Sequence, residues 1–309
     1  MRAMDLLATT GESFVRVGAA MRLQGSGAQC LAHDGGTVYV GCRGGGLKRS
    51  ADGGDTFEDV PLPERDVFSV AVSAADGAVY AGTEPSRLFC SRDGGERWEE
   101  LEALQDIPSR PRWSFPPRPW TSHVRWIAPS PHEPEVVLVG IELGGLMRSE
   151  DGGHSFSDHR PRAARDVHCL AWHPSTPGRA YEAGGDAAAW SRDGGRTWKT
   201  AQAGRERGYA WALAVDEVNP DRWFVSAAPG PFEAHGRGPS DSAIYRWEGL
   251  GPWQMIEGPF DSHVYALAAG QGKLFAGLGD GTLLESEDGG ESWSDLGERI
   301  GGLTALVVK

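Results

Sequence analysis

The stretch "SRDGGRTW" at residues 191–198 decides the fold, because four similar stretches occur elsewhere in the chain. They are "SADGGDTF" from Ser50, "SRDGGERW" from Ser91, "SEDGGHSF" from Ser149 and "SEDGGESW" from Ser286. In this Asp-Gly-Gly turn the Asp accepts backbone N–H bonds, and the glycines adopt conformations that other residues avoid. Strand-forming residues flank the turn, so each copy predicts a β-hairpin with its final aromatic side chain packed beneath it.

A weaker form of the motif occurs twice more, as "LATTGESF" from Leu7 and "RWEGLGPW" from Arg246. The final aromatic residues are spaced by 43, 41, 58, 42, 55 and 40 residues, which indicates a repeat of about 42 residues with two insertions. Within one repeat, three apolar runs precede the turn and one follows it, as in "VFSVAVS", "AVYAGTE", "SRLFCS" and "RWEEL". Four short strands at this period predict an all-β, seven-bladed β-propeller of four-stranded antiparallel blades.

These repeats resemble the BNR or Asp-box repeat of sialidases, sortilin-type receptors, photosystem II assembly factors and many uncharacterised bacterial proteins. The resemblance extends over nearly the whole chain. It implies that each Asp-Gly-Gly turn joins the third and fourth strands of a blade, on the face opposite the usual ligand face. It implies little about function, because such repeats occur both in catalysts and in pure binders. We therefore expect a structural role for the Asp of each turn.

The two ends of the chain are predicted to complete one blade together. The segment "GGLTALVV" at 301–308 matches the innermost-strand pattern, whereas the N-terminal segment matches outer strands. Closure by both ends would remove the open edges of the ring. We therefore expect a single propeller domain over residues 1–309.

Composition limits the partners of this chain. The net charge of −13 argues against nucleic acid and against anionic membrane surfaces as partners. The start "MRAMDLLATTGESF" has no signal-peptide pattern, which favours a cytoplasmic protein. The cysteines have no CxxC spacing and are interpreted as buried free thiols; they are Cys30, Cys42, Cys90 and Cys169.

The first strand of each blade lines the channel of a propeller, and alternate residues on it face the axis. Alignment of these strands gives one ring of seven residues, namely Gln29, Phe68, Arg125, His168, Trp211, Tyr265 and Thr304. A second ring, two residues earlier and nearer the entrance, contains Gly27, Asp66, His123, Asp166, Tyr209, His263 and Gly302. Converging His, Asp, Arg and Tyr side chains are typical of a site that handles protons, a metal or an anion.

Both insertions are predicted to overhang these rings. The insertion at 105–122 separates two blades, and the insertion at 228–242 separates a second strand from a third, so both lie on the face where the first strands begin. The first insertion carries Trp113, Phe115 and Trp120, which suit a wall or lid for a ligand. The second strands end on the same face and bring further polar residues there, namely Arg43, Glu84, Glu142 and Asp280.

One hypothesis is a hydrolase or lyase for a small polar or anionic substrate, assisted by a divalent metal (Zn, Mn, Fe or Ca) in the channel mouth. The predicted metal ligands are His123 and His263, since neutral imidazole suits such metals. The predicted catalytic or supplementary residues are Asp66, Glu84, Arg125, Glu142, Asp166 and His168. The predicted substrate-binding residues are Gln29, Arg43, Phe68, Trp113, Trp120, Tyr209, Trp211 and Tyr265.

Two alternatives stay open. A metal-free glycosidase could use Asp66 and Asp166 as paired carboxylates, with aromatic residues stacked on a sugar ring. The resemblance to sialidases is confined to the repeats, because that family uses an arginine trio and Arg125 is the single arginine of the two rings, with Arg43 as a candidate second. A non-catalytic propeller that binds a ligand or a protein partner is the other alternative.

Overall fold

Seven antiparallel sheets follow one another along the chain in the computed structural model, which confirms the predicted all-β, seven-bladed propeller. The structure describes residues 6–115, 121–235 and 241–309. Within these ranges, no helix has the length and apolar character needed to cross a membrane. The blades are numbered in chain order, and the first two strands of the chain belong to blade 7.

The strands of the first half are as follows. The chain begins with β1 (Leu6–Thr9) and β2 (Phe14–Arg16). Blade 1 contains β3 (Ala28–Asp34), β4 (Thr37–Cys42), β5 (Gly46–Ser50) and β6 (Glu58–Val60). Blade 2 contains β7 (Val67–Val72), β8 (Val79–Thr83), β9 (Leu88–Ser91) and β10 (Glu99–Glu100), and two short 3-10 helices, Glu102–Asp106 and Arg110–Arg112, follow it. Blade 3 contains β11 (Val124–Pro129), β12 (Val137–Ile141) and β13 (Gly145–Ser149).

The second half continues the pattern. Blade 4 contains β14 (Val167–Trp172), β15 (Ala180–Gly184), β16 (Ala188–Ser191) and β17 (Lys199–Thr200). Blade 5 contains β18 (Tyr209–Val215), β19 (Arg222–Ala228), the short helix α1 (Pro231–His235), β20 (Ala243–Glu248) and β21 (Gln254–Ile256). Blade 6 contains β22 (Val264–Gly270), β23 (Lys273–Leu278), β24 (Thr282–Ser286) and β25 (Ser294–Arg299), and the last strand is β26 (Ala305–Val308).

Blade 7 joins the two ends of the described chain. Its strand order is β2-β1-β26, and β1 pairs with β26 from Leu6 opposite Val308 to Thr9 opposite Ala305. Blades 3 and 7 have three regular strands each, and the isolated bridges Arg148–Ser157 and Phe14–Arg22 mark the position of their fourth. The ring is therefore closed through a sheet built from both ends, as predicted.

The Asp-Gly-Gly turns lie between the third and fourth strands, on the face opposite the start of the innermost strands. In the turn of blade 4, Asp193 Oδ1 accepts hydrogen bonds from Ser191 Oγ and from the Thr197 N–H, each at 2.8 Å, and Oδ2 accepts one from Thr197 Oγ1 at 2.6 Å. Although partial burial opposes ionisation, these bonds lower the pKa of Asp193. The aspartates of these turns thus hold the hairpin, and their carboxylates are already satisfied.

The same turns also connect each blade to the one before it. Arginines on the third strands of blades 1, 3 and 5 donate to a glycine carbonyl in the turn of the next blade, in the pairs Arg49–Gly94, Arg148–Gly194 and Arg246–Gly289. The second glycine of the blade 3 turn, Gly153, has a φ of +100°, and a Cβ there would overlap Leu101 of the preceding segment. The motif therefore fixes both the hairpin and the packing between blades.

Every innermost strand of blades 1 to 6 has a β-bulge. The bulges fall at the first predicted ring, at Gln29, Phe68, Arg125, His168, Trp211 and Tyr265. A bulge inserts one unpaired residue into a strand and redirects its side chain. The channel side chains are thus placed by a repeated backbone irregularity.

A close approach between blades accompanies the bulges. Glycines on four of the second strands pair with the residue just after the bulge, and they are Gly41, Gly82, Gly140 and Gly277. A Cβ on Gly82 would lie 2.5 Å from Val124 Cγ1 of the next blade and 2.6 Å from Ser69 Oγ. We conclude that the blades meet there without room for a side chain.

Replacement of Gly82 by alanine should therefore destabilise the propeller. We expect Gly82→Ala to lower the free energy of unfolding by about 1–3 kcal/mol, the usual cost of overpacking, measured by urea denaturation. Gly208→Ala is the matched control, because a Cβ at Gly208 would meet nothing within 4 Å. Equal stability of the two variants would contradict the proposed close approach.

A buried carboxyl in blade 4 makes the stability depend on pH. Glu182 is fully buried; its Oε2 accepts a hydrogen bond from the Ala164 N–H at 2.8 Å, and Oε1 has no partner among the described residues. Burial raises the pKa of Glu182 from 4.5 to about 8. The protonated form is favoured in the folded state, so the contribution to stability is complete below 4.5 and is lost as the pH rises through about 8.

Glu182→Gln should remove this dependence, since the amide cannot ionise. We expect the variant to gain stability relative to the wild type between about pH 5 and about pH 9, measured by urea denaturation at both values. The exposed Glu257→Gln variant should follow the wild type at both. A constant difference between Glu182→Gln and the wild type would show that Glu182 stays ionised in the fold.

Candidate functional site

A cavity of about 760 Å³, called the upper cavity below, opens on the face of the propeller where the innermost strands begin. Ten of the predicted site residues lie in its wall: Gln29, Arg43, Phe68, Glu84, Arg125, Glu142, Asp166, Tyr209, Trp211 and Tyr265. Phe115 of the first insertion and His235 of α1 complete part of the rim. The ends of the second strands and the bulged ring thus converge on one cavity.

The wall has two different halves. Blades 1 to 4 supply the charged side chains, which are Arg43, Glu84, Arg125, Glu142 and Asp166. The described lining from blades 5 and 6 contains neither arginine nor carboxylate, and presents Tyr209, Trp211, Tyr265 and the residues of α1. A ligand in this cavity therefore meets charge on one side and aromatic faces on the other.

A second cavity of about 390 Å³ continues down the channel. It shares Arg125, Trp211, Tyr265 and Thr304 with the upper cavity, and the residues below them are mostly alanine, leucine and valine. The residues at the bulges of the innermost strands therefore separate the polar upper cavity from an apolar channel.

Arg125 is held between aromatic rings at this boundary. Its guanidinium carbon lies 4.9 Å from the centre of the Trp211 ring and 5.9 Å from that of Phe68. Its Nε atom lies 3.4 Å from Glu142 Oε2, without hydrogen-bond geometry. No described residue forms a hydrogen bond with its two Nη atoms, which leaves paired donors for a ligand.

Glu142 is ionised by its neighbours despite its burial. Burial alone would raise the pKa of this carboxyl, but the hydrogen bond from His123 and the charge of Arg125 lower it to about 2. The bond joins His123 Nε2 and Glu142 Oε2 at 2.7 Å. His123 and Glu142 are distant in sequence and meet because Val124 of β11 pairs with Ile141 of β12.

Asp66 and Glu84 are neighbouring acidic residues beside the cavity, joined through their backbones. The Glu84 N–H donates to the carbonyl of Asp66 at 3.1 Å, and Glu84 Oε2 lies 3.9 Å from both Arg43 Nη2 and His123 Nδ1. Asp66 Oδ1, Glu84 Oε2 and His123 Nδ1 are buried and lack hydrogen-bond partners in the described part of the chain. Burial and the charge of Glu84 raise the pKa of Asp66.

The structure does not bring the predicted metal ligands His123 and His263 to one site. His123 is fully buried in blade 3, stacked on Phe68 with a centroid distance of 3.7 Å. His263 is buried in blade 6 beside Tyr265 and Trp211, at centroid distances of 4.7 Å and 6.4 Å. Burial lowers the pKa of His263 to about 3, so this ring is neutral, and neither histidine reaches the cavity wall.

The predicted aromatic wall is also corrected in part. Trp113 is buried in the core of blades 2 and 3, and its Nε1–H donates to Ser109 Oγ at 3.1 Å, so this side chain does not line the cavity. Its indole fills space between blades, which offers more apolar contact than the rim. Trp120 lies outside the described residues. Phe115 reaches the cavity instead, at 4.9 Å from the ring of His123.

The sequence gives no prediction of helix α1 or of His235. Pro231 at the start of a five-residue helix is the one local signal, because proline suits the first helical turn. Tyr265 Oη donates to the Ala234 carbonyl at 2.8 Å, and Tyr209 Oη lies 3.3 Å from His235 Nε2. Tyr265 and Tyr209 therefore hold α1 over the cavity.

Comparisons with known proteins agree with the fold. No protein-family model matches the chain, and no curated protein matches it. Among solved structures, the GH74 xyloglucanase of Xanthomonas campestris has a TM-score of 0.68 at 18% identity, over 86% of this chain and 47% of that chain. The GH74 enzyme of Niastella koreensis has a TM-score of 0.67 at 14% identity, over 95% and 47%.

A structure described as YCF48 bound to D1 peptide has a TM-score of 0.61 at 19% identity, over 87% of this chain and 82% of that chain. This chain therefore spans about half the length of the GH74 structures but most of YCF48. At such identities the likeness shows the fold alone. The neighbours include both hydrolases and a peptide-bound protein, so they do not assign a function to this chain.

The hydroxyl of Tyr265 should determine how firmly α1 is held. We expect Tyr265→Phe to increase amide hydrogen exchange at residues 231–235, because the bond to the Ala234 carbonyl is lost. The loss of global stability should stay near 1 kcal/mol, the usual net value of one hydrogen bond. The control is Tyr39→Phe, which removes a hydroxyl that donates to Gly94 at 3.0 Å between blades. Faster exchange at 231–235 in both variants would contradict a local role of Tyr265.

Proposed function

We propose that this chain is a hydrolase that acts on a small polar substrate with a carboxylate group, bound in the upper cavity. The observation that carries the proposal is Arg125, fixed between the rings of Trp211 and Phe68 with its Nη donors unpaired among the described residues. A guanidinium in this state matches the planar geometry of a carboxylate and can bind it through two parallel hydrogen bonds.

The size and wall of the cavity support a compact organic acid, such as a sugar acid. Its volume of about 760 Å³ is in the range of small-molecule sites, about 300–1,000 Å³. Tyr209, Trp211 and Tyr265 offer flat faces to a ring, whereas the charged half offers hydrogen-bonding groups to hydroxyls. The likeness to GH74 enzymes adds that this fold accommodates hydrolysis of glycosidic bonds.

We assign proton transfer to the Asp66–Glu84 pair. Glu84 lines the cavity, and we infer that its carboxylate takes a proton from a water molecule there. The water oxygen then bonds to the substrate, the bond to the leaving group breaks, and the pair returns the proton to that group. Asp66 has a raised pKa beside Glu84, which suits a residue that holds the proton in between.

The test uses two substrates that differ in one group, 4-nitrophenyl glucuronide and 4-nitrophenyl glucoside. We expect faster hydrolysis of the glucuronide, because only this substrate has a carboxylate for Arg125. Arg125→Lys keeps the charge but not the paired donors, and should raise KM for the glucuronide about tenfold. Glu84→Gln should lower kcat about 100-fold or more with little change in KM. Both kcat and KM are measured from the release of 4-nitrophenol.

The control is Asp193→Asn in the Asp-Gly-Gly turn, on the opposite face. It should lower stability by about 1 kcal/mol, as loss of a capping bond does, and leave kcat and KM unchanged. Hydrolysis of neither substrate, or hydrolysis that Glu84→Gln and Arg125→Lys do not affect, would refute the proposal in this form.

A binding role without catalysis is favoured by one observation. Phe232 and Leu143 lie on the rim of the cavity and are 87% and 40% exposed. These apolar residues could contact a peptide whose C-terminal carboxylate reaches Arg125. In that case Arg125→Lys and Phe232→Ser would weaken binding of a carboxylate-ended peptide library, whereas Glu84→Gln would leave binding unchanged.

A further inference from the structure

Three potential metal ligands converge where the charged half of the cavity meets the channel, because Glu142 and Asp166 line the cavity and His168 lines the channel below it. One ligand atom each of Glu142, Asp166 and His168 lies within 4.8 Å of the others, and this is the one group of three such residues found in the described ranges. The residues come from β14, from the segment just before it and from the segment just after β12, so strand ends hold all three. Asp166 and His168 are only two residues apart, whereas Glu142 comes from the preceding blade.

His168 provides the decisive observation. Its side chain is fully buried, and its Nδ1 lies 2.7 Å from the carbonyl of Ala210, to which it must donate a proton. Its Nε2 is buried without a hydrogen-bond partner in the described structure, 3.4 Å from Asp166 Oδ2. A buried nitrogen without a partner, next to a carboxylate oxygen, is an arrangement that a cation bound between the two atoms would satisfy.

The ligands are held as metal ligands usually are. The backbone carbonyl of Ala210 fixes the tautomer of His168, which is the common partner of a metal-binding histidine. Glu142 Oε2 accepts the hydrogen bond from His123, which leaves Oε1 for another partner. His123, predicted from the sequence as a ligand, thus orients a ligand instead.

The charge of the cavity points the same way, although this step rests on the proposed function. The wall contains three carboxylates, Glu84, Glu142 and Asp166, and two arginines, Arg43 and Arg125. An anionic substrate would enter a site with an excess of negative charge. One divalent cation reverses that excess and places a positive centre beside Arg125.

We propose that Glu142, Asp166 and His168 bind one divalent transition-metal ion, with Zn²⁺ and Mn²⁺ as the best fits. One imidazole nitrogen and two carboxylate oxygens suit these ions, and three protein ligands leave a position for water or substrate. A water molecule on such an ion loses a proton more readily than free water does. The metal would therefore supply the water that the proposed hydrolysis consumes.

The experiment is a metal titration that does not depend on activity. The purified chain is stripped with a chelator and titrated with ZnCl₂ or MnCl₂, and bound metal is counted by elemental analysis after gel filtration. We expect one ion per chain in the wild type. Asp166→Asn and His168→Gln, which change little volume, should weaken binding by about 100-fold or more each, because each removes a ligand rather than an outer partner.

Asp66→Asn is the matched control, since Asp66 is a half-buried carboxyl beside the same cavity and outside the ligand group. It should bind metal as the wild type does. The proposal is overturned if the wild type binds neither ion, or if Asp66→Asn weakens binding as much as Asp166→Asn. Failure of the proposed function would be distinguishable, because the chain would still bind metal but would not hydrolyse the glucuronide faster than the glucoside.

Discussion

The propeller depends on how closely neighbouring blades meet at the channel. On four second strands this contact leaves room only for glycine, and at Gly82 the intruding group is Val124 of the next blade. The residue that pairs with each of these glycines follows the bulge of the innermost strand. The contact between neighbouring blades therefore lies beside the β-bulge that directs a side chain into the channel. As a result, the polar residues of the mouth are supported by packed strands rather than by mobile loops.

The two faces of the propeller differ in how their polar groups are paired. The Asp-Gly-Gly turns use their polar groups internally, as in the bonds between Asp193 and Thr197, and they connect blades through contacts such as Arg148 with Gly194. On the other face, Glu84 and Arg125 have donors and acceptors that no described residue satisfies. Because unsatisfied buried polar groups are costly to a fold, these atoms favour a ligand in the cavity.

The sequence was sufficient for the fold but only partly for the site. The repeat period and the turn motif predict seven blades and the shared last blade. The first predicted ring lines the channel, but the prediction for the second ring holds only in part, since a bulge in each innermost strand of blades 1 to 6 interrupts the two-residue period. Of the second ring, Asp166 and Tyr209 reach the cavity, whereas His123 and His263 are buried outside its wall. Helix α1 could not be foreseen, since its position depends on tyrosines from other segments.

The buried histidines show why residue type alone does not identify a ligand. His263 lies among aromatic rings, and neither of its nitrogens has a hydrogen-bond partner in the described ranges, so burial keeps it neutral. His168 has the same burial, but a backbone carbonyl fixes one nitrogen and a carboxylate faces the other. This difference follows the division of the cavity, with aromatic groups on blades 5 and 6 and charges on blades 1 to 4. A substrate with a carboxylate at one end and an uncharged ring at the other would therefore enter in one orientation, with its anionic end towards Arg125.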